Sequence, residues 1–429
     1  MNTGLAISIA ALGLSLVGVI IAVMNQAAAR RKRRDEQARK NFIEAREYLK
    51  INRGALAEAA IDAQSEFQWD AHVPLLTRPG WIPSQPLSLD EVSVQLREPS
   101  QEEVAALVQG RSRLLDYWPQ GCDGRRLSRY SQAIIEYDKS ARMEDRPSYR
   151  LIGVHVGSIS SPRYELTLTE ASYFDGVDTG ESLAHETAFR KFSEHEAPAG
   201  GPYRSWLADP FRLGIRAAMP GINTLTIRLS KGQPSIYMHK RGFNAGVSMG
   251  VLHVAPAGEF QPQTADPTIW ASDLSILKNI IREYAEEFLG VDEATGSGGI
   301  TIDYQKDHPY SEFFRAIHSG KMKVFYLGMG LDPVSWKPEI LTACVFEQGT
   351  FDRIFRDMVT DKIDEGTGGI LLVGKDRSGG RISGRRFGGL PLYAESTKAF
   401  SDLKKTLPAG VACLELVRRW ESVILPRMK

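Results

Sequence analysis

Three glutamates stand close together in the run Arg282-Glu283-Tyr284-Ala285-Glu286-Glu287-Phe288-Leu289-Gly290. Residues 279–289 contain neither Gly nor Pro and are rich in good helix formers. On a helix, Glu283, Glu286 and Glu287 stand at i, i+3 and i+4 and share one face. Ile280, Ile281, Tyr284 and Phe288 are left to cover the core-facing side. Carboxylates crowded in this way repel one another unless something neutralises them. A hard divalent cation, Mg²⁺ or Mn²⁺, does so with oxygen ligands and also draws in substrate phosphates. The bland alternative is a solvated, charged helix.

The elements that must position this helix come before it. Residues 225–229 and 235–239 have the pattern of paired strands, with Lys231-Gly232-Gln233-Pro234 as the turn. Residues 250–258 are expected to form a further strand ending in a Pro/Gly turn. Strand, strand, turn and acidic helix is an α+β order.

With those elements, 258–290 resembles the Nudix box, G-x5-E-x7-R-E-U-x-E-E-x-G-U with U aliphatic. The resemblance implies an α/β/α sandwich of Nudix type. It implies that Glu283, Glu286 and Glu287 hold Mg²⁺ or Mn²⁺, and that Glu286, Glu287 and Arg282 serve catalysis. It also implies a ligand of the nucleoside-diphosphate type. Two departures stand out. The spacing from Gly258 to Arg282 is ten residues longer than in the family pattern, without its spacer glutamate, and Gly290 comes one residue late. The general base is not identified by the pattern; Glu259 and Glu347 are candidates.

The net charge of +1 argues against a dedicated nucleic-acid binder, and no nucleic-acid partner is expected. Cys122, Cys344 and Cys413 are scattered, form no metal spacing and suit a reducing compartment. Residues 5–24 carry no charge over twenty positions, and Arg30-Arg31-Lys32-Arg33-Arg34 follow. That pattern predicts a transmembrane helix in the bilayer of the inner (cytoplasmic) membrane, with the C-terminal domains in the cytoplasm. A cleaved signal peptide is the rival reading, against which the basic cluster stands on the wrong side.

The expected organisation is an anchor over 1–29, a juxtamembrane helix over 30–70, a Pro-rich strap with a small mixed α/β subdomain over 71–147, and a Nudix-like domain over 148–429. Ser100 and Glu103 predict a capping box for a helix from 101. Helices are also expected at 127–137, 308–318, 350–359, 394–407 and 411–425, and strands at 91–96, 149–156, 164–169, 323–328, 339–347 and 369–374. The glycine run 296–299 is expected to be a plain loop rather than a phosphate cradle. Arg377, Arg381, Arg385 and Arg386 lie in a glycine-rich segment that suits either a phosphate clamp or a surface loop. His155, His239 and His253 are expected to be half-buried structural residues.

Three functions follow as expectations. The first is a membrane-anchored protein that binds, and with Mg²⁺ could hydrolyse, a nucleoside-diphosphate-type ligand. The second is a nucleotide sensor without turnover, as the chain also resembles in general plan the Nudix-like domains of bacterial antiphage signalling. The third is a tethered scaffold with an inactive Nudix fold. A homo-oligomer is compatible with all three.

Overall fold

A computed structural model describes residues 3–112, 121–122, 124–125, 127–138, 143–157, 164–194, 200–231, 233–241, 251–291, 301–358, 368–371 and 389–425. The glycine run 296–299 and the arginine-bearing segment 377–386 lie outside the described residues. The chain is mixed α/β, with 47% helix and 23% strand.

The central sheet is built on five strands, here β1 (Gly221–Ser230), β2 (Gln233–Ile236), β3 (Ala257–Glu259), β4 (Met322–Leu331) and β5 (Pro338–Glu347). The order runs from the short strand Leu87–Ser88 through β4, β5, β1 and β2 to Leu390–Pro391, with β3 paired to the start of β1. β5 and β1 are parallel, with Glu339 opposite Gly221 and Thr342 opposite Thr224. The neighbouring pairs are antiparallel.

Side chains alternate across a strand, so β5 feeds two cores. Ile340, Cys344 and Phe346 enter one and Leu341, Ala343 and Val345 the other. The first core is covered by helix α2 (Ile276–Glu287), α3 (Tyr310–His318) and α4 (Gln348–Ile354), through Ile280, Ile281, Tyr284, Phe313 and Phe351. Tyr284 sits at its centre: its hydroxyl lies 2.6 Å from Thr226 Oγ1, and its ring stacks at 5.4 Å on Phe313. The second core is closed by α5 (Pro408–Arg419) through Ala412, Cys413, Leu416 and Val417.

A second sheet joins Val92–Leu96, parallel, to Tyr164–Ser172, which pairs antiparallel with Pro147–Val156. The expected domain boundary at 147 therefore falls inside one sheet. The capping box forms as expected: Ser100 N donates to Glu103 and Glu103 N to Ser100 Oγ. After Ser172 the chain enters a continuous helical run in which Val177–Glu181 has π-helical turns.

Two expectations are corrected at the N-terminus. Among the described residues no helix is long and apolar enough to cross a membrane. The expected transmembrane anchor at 5–24, and with it the inner-membrane localisation and bilayer contact, is therefore withdrawn. Side chains in this helix are described only from residue 19 onward. The anchor and the juxtamembrane helix are also not separate elements. They form one helix, α1 (Thr3–Asp62), because nothing between residues 19 and 53 breaks the backbone pattern. Its C-terminal third docks on the fold through Phe42, Ala45, Leu49, Leu56, Ala57 and Ala60. Gly54 does not interrupt it. A Cβ there would lie 2.3 Å from the Leu403 carbonyl oxygen, so the missing side chain lets residues 403–404 cross the helix at backbone contact.

Two further elements differ from expectation. Residues 250–258 do not make one strand: Leu252–Val254 pairs with Met238–Arg241, and β3 pairs with β1. The helix expected over 394–407 is reduced to the short turns Glu395–Lys398 and Ala399–Ser401. The backbone beyond them is used otherwise, with Leu252 N donating to Lys405 O and Leu407 N to Leu252 O.

Candidate functional site

Helix α2 starts with Ser275 capping Lys278 N and ends at Glu287. Arg282, expected to assist catalysis, is buried. Its Nη1 donates to both oxygens of Asp273, at 3.0 and 3.1 Å, and to the Tyr304 hydroxyl at 2.5 Å. Its Nη2 donates to Gln261 O at 2.6 Å and to Asn279 Oδ1 at 3.1 Å. Asp273 also receives Gln263 N and Gln263 Nε2. Arg282 thus orients a carboxylate, but that of Asp273, and ties the lengthened 260–275 loop to the helix.

Glu283 is buried, accepts from Asn279 Nδ2 at 3.3 Å and packs on Gly258. Glu287 accepts from Ala257 N at 3.3 Å. One face of α2 therefore leans two carboxylates on β3, as the i, i+4 spacing requires. Glu286 is half-buried and acts electrostatically on Tyr310 of α3. Among the described residues no three His, Cys, Asp or Glu side chains are grouped so as to hold a metal ion. The donors are hard carboxylate oxygens, which suit Mg²⁺, but in this arrangement Glu283 and Glu287 are engaged with Asn279 and β3.

The close approach at Gly258 gives a direct test of how α2 is held. A Cβ at this position would sit 2.2 Å from Glu283 Oε2, so Gly258→Ala must displace a buried carboxylate. The expected cost is about 1–3 kcal/mol, the usual range for overpacking. In urea unfolding, Glu283→Ala combined with Gly258→Ala should cost less than the sum of the two single changes. Strict additivity would show that the two residues do not press on one another.

β3 also borders a cavity of about 370 Å³. It opens where β1 and β5 begin, and six separate stretches of the described chain wall it. Asn223 comes from β1, and Gly258 and Glu259 from β3. Asp332, Ser335, Lys337 and Glu339 come from the turn into β5. Gly176–Glu181, with Arg53 of α1 and Arg216, close one side, and Leu407, Pro408 and Ala409 at the start of α5 close another. His253 also lines it.

The turn into β5 is built by Asp332, whose Oδ1 accepts from Val334 N, Ser335 N and Ser335 Oγ. Trp336 follows with φ +55°, a left-handed conformation that a bulky residue adopts only when its surroundings enforce it. Its indole Nε1 donates to Gln64 Oε1, and its carbonyl accepts from Arg216 Nη2 at 2.6 Å. This turn delivers Lys337 and Glu339 to the cavity. Lys337 Nζ lies 2.5 Å from Glu259 Oε1, and Glu339 accepts from Asn223 Nδ2 at 2.8 Å. Burial alone would depress the Lys337 ammonium, but Glu259 and Glu339 hold its pKa above the ordinary lysine value. Burial pushes Glu339 up to about 7, against the pull of Lys337 and Asn223.

The folded protein keeps a proton on Glu339 that the unfolded chain releases near pH 4.5. Stability from this group is therefore full below pH 4.5 and is lost as pH rises to about 7. Glu339→Gln should flatten the unfolding midpoint over that window. An unchanged slope between wild type and variant would show that Glu339 does not titrate there.

Of the candidate bases, Glu259 belongs to the cavity. Glu347 is exposed at the other end of β5 from Glu339. His253, expected to be structural, is a lining residue. Arg53, Arg216, Asn223, Asp332, Lys337 and Glu339 were not expected in any site. They come from separate segments, and no local spacing marks them. Family models match no part of the chain, and a search of curated proteins finds no relative.

Proposed function

We propose that the protein is a Nudix-like binding protein that takes a diphosphate-containing nucleotide in the cavity beside β3 and does not turn it over. The observation that carries the reading is the cavity itself. Its volume falls within the range of small-molecule sites, and charged groups converge on it from several separate segments. The π-helical turns at Val177–Glu181, a feature frequent at functional sites, form part of its wall. The two-layered helical cover of the sheet and the acidic helix behind β3 support the Nudix-like part. The binding part draws support from the contacts of Arg282, Glu283 and Glu287, which brace the 257–275 segment.

The second reading is Mg²⁺-dependent hydrolysis, favoured by the all-carboxylate face of α2. Bound to Glu283, Glu286 and Glu287, Mg²⁺ or Mn²⁺ would shield the diphosphate and lower the pKa of an attacking water. It requires Glu283 to leave Asn279.

A thermal-shift screen of nucleotides, run with EDTA and with Mg²⁺ and followed by chromatography of the recovered nucleotide, separates the two. The binding reading expects a raised melting temperature and intact nucleotide in both conditions, because ligand bound to the native state stabilises it. Products formed only with Mg²⁺ would favour hydrolysis. No shift with any nucleotide would refute both.

A further inference from the structure

Among the described residues, three lysine and arginine side chains line the cavity, and their partners differ. Arg53 is ion-paired with Glu181 at 3.4 Å and Asp332 at 3.6 Å. Lys337 is ion-paired with Glu259. Arg216 is 1% exposed, yet its hydrogen bonds go to main-chain carbonyls: Nη2 donates to Pro210 O at 3.1 Å and Trp336 O at 2.6 Å. Its Nε is buried and has no hydrogen-bond partner among the described residues. A guanidinium presents five N–H donors in a planar fork. A buried cation left with neutral acceptors and an unspent donor carries a desolvation cost that a matching anion relieves. The same cost lowers its pKa to about 10, burial being the main cause, so it stays cationic at neutral pH.

The cavity adds a second source of positive potential. Helix α5 is twelve residues long and begins at Pro408, and Leu407–Ala409 line the same space. Its first amides carry the positive end of the helix dipole. Among the described residues no lining carboxylate is bonded to Arg216: Glu181 and Asp332 face Arg53, Glu259 faces Lys337, and Glu339 takes a hydrogen bond from Asn223. Asp209, outside the lining, acts on Arg216 electrostatically but is bonded to Arg78.

We infer that Arg216 anchors the anionic group of the ligand, so that the phosphates of a nucleotide sit against Arg216 and the start of α5 rather than against the glutamates of α2. This rests on the proposed nucleotide binding and specifies it. A consequence is that the phosphate contact needs no divalent cation, since the charge is met by a guanidinium and backbone amides.

Inorganic pyrophosphate is the probe, titrated into the full chain in EDTA by calorimetry. Wild type should bind it. Arg216→Lys, which keeps the charge and loses the fork, should bind about ten- to hundred-fold more weakly, the range for losing a charge-assisted bond. The Nε–H resonance of Arg216, assigned by its loss in the Lys variant, provides a readout on wild type alone and should move on saturation. If Arg216→Lys does not fold, that resonance is assigned by selective arginine labelling instead. Pyrophosphate binding that is unchanged in the variant, an unmoved resonance, or no binding to wild type each overturns the assignment. Nucleotide binding indifferent to Arg216→Lys would remove this anchor and leave the binding reading standing. Pyrophosphate bound through Arg216 with no nucleotide bound would do the reverse.

Discussion

Replacing Arg282 with Ala should destabilise the fold by about 3–5 kcal/mol, the range for removing one partner of a buried ion pair. The side chains of Arg282 and Asp273 are 6% and 1% exposed. Without the guanidinium, the Asp273 carboxylate stays buried with Gln263 and Tyr304 as its remaining neutral partners. The 260–275 loop would also lose the bond from Arg282 to Gln261 O. The pair should be strongly coupled: Arg282→Met with Asp273→Leu should cost clearly less than the sum of the single changes. Denaturant unfolding measures both. A stable, fully folded Arg282→Ala that had lost only a ligand-dependent property would instead place Arg282 in the chemistry, as the box resemblance implies.

A loss of similar size, about 3–5 kcal/mol, is expected from Arg53→Ala. Arg53 is buried where α1 meets the cavity, between Glu181 and Asp332. One turn earlier Lys50 meets Asp138, and Arg46 meets both Asp138 and Glu181. The same face of α1 therefore carries three cations into a wall of carboxylates, and Glu181 belongs at once to that wall and to the cavity. Arg53→Ala leaves Glu181 with Arg46 but takes from Asp332 its ion-pair partner, at the turn that positions Lys337 and Glu339. The variant should unfold at lower denaturant and expose residues 42–61 to limited proteolysis. Arg53→Lys should lose less, since it keeps the charge without the fork. Wild-type midpoints for both variants would mean that α1 is held by its apolar contacts alone.

The strands and the acidic helix were legible because each is a local pattern. Residues 225–229 and 235–239 alternate or run apolar, and they lie in β1 and in β2 with its continuation. The helix from 279 has the i, i+3, i+4 spacing that places Glu283 and Glu287 on β3. What the letters could not show is what those carboxylates touch. Asp273 lies outside the box spacing but close to Arg282 in space, because the lengthened loop folds back on the helix. The cavity was hidden for the same reason. Arg53, Arg216, Asn223 and Lys337 are neighbours only once β1 and β5 pair in parallel register, a contact between residues more than a hundred positions apart. The single-stretch reading of 250–258 failed because both its halves are apolar enough for one strand, and only pairing with different partners splits them.

The most direct test of the binding account is a structure of the protein with a nucleoside diphosphate bound. The nucleotide is expected inside the cavity bounded by Asn223, Gly258–Glu259 and the 335–339 turn, with its phosphates against Arg216. A nucleotide held instead on the α2 glutamates through a divalent cation, with the cavity empty, would contradict it.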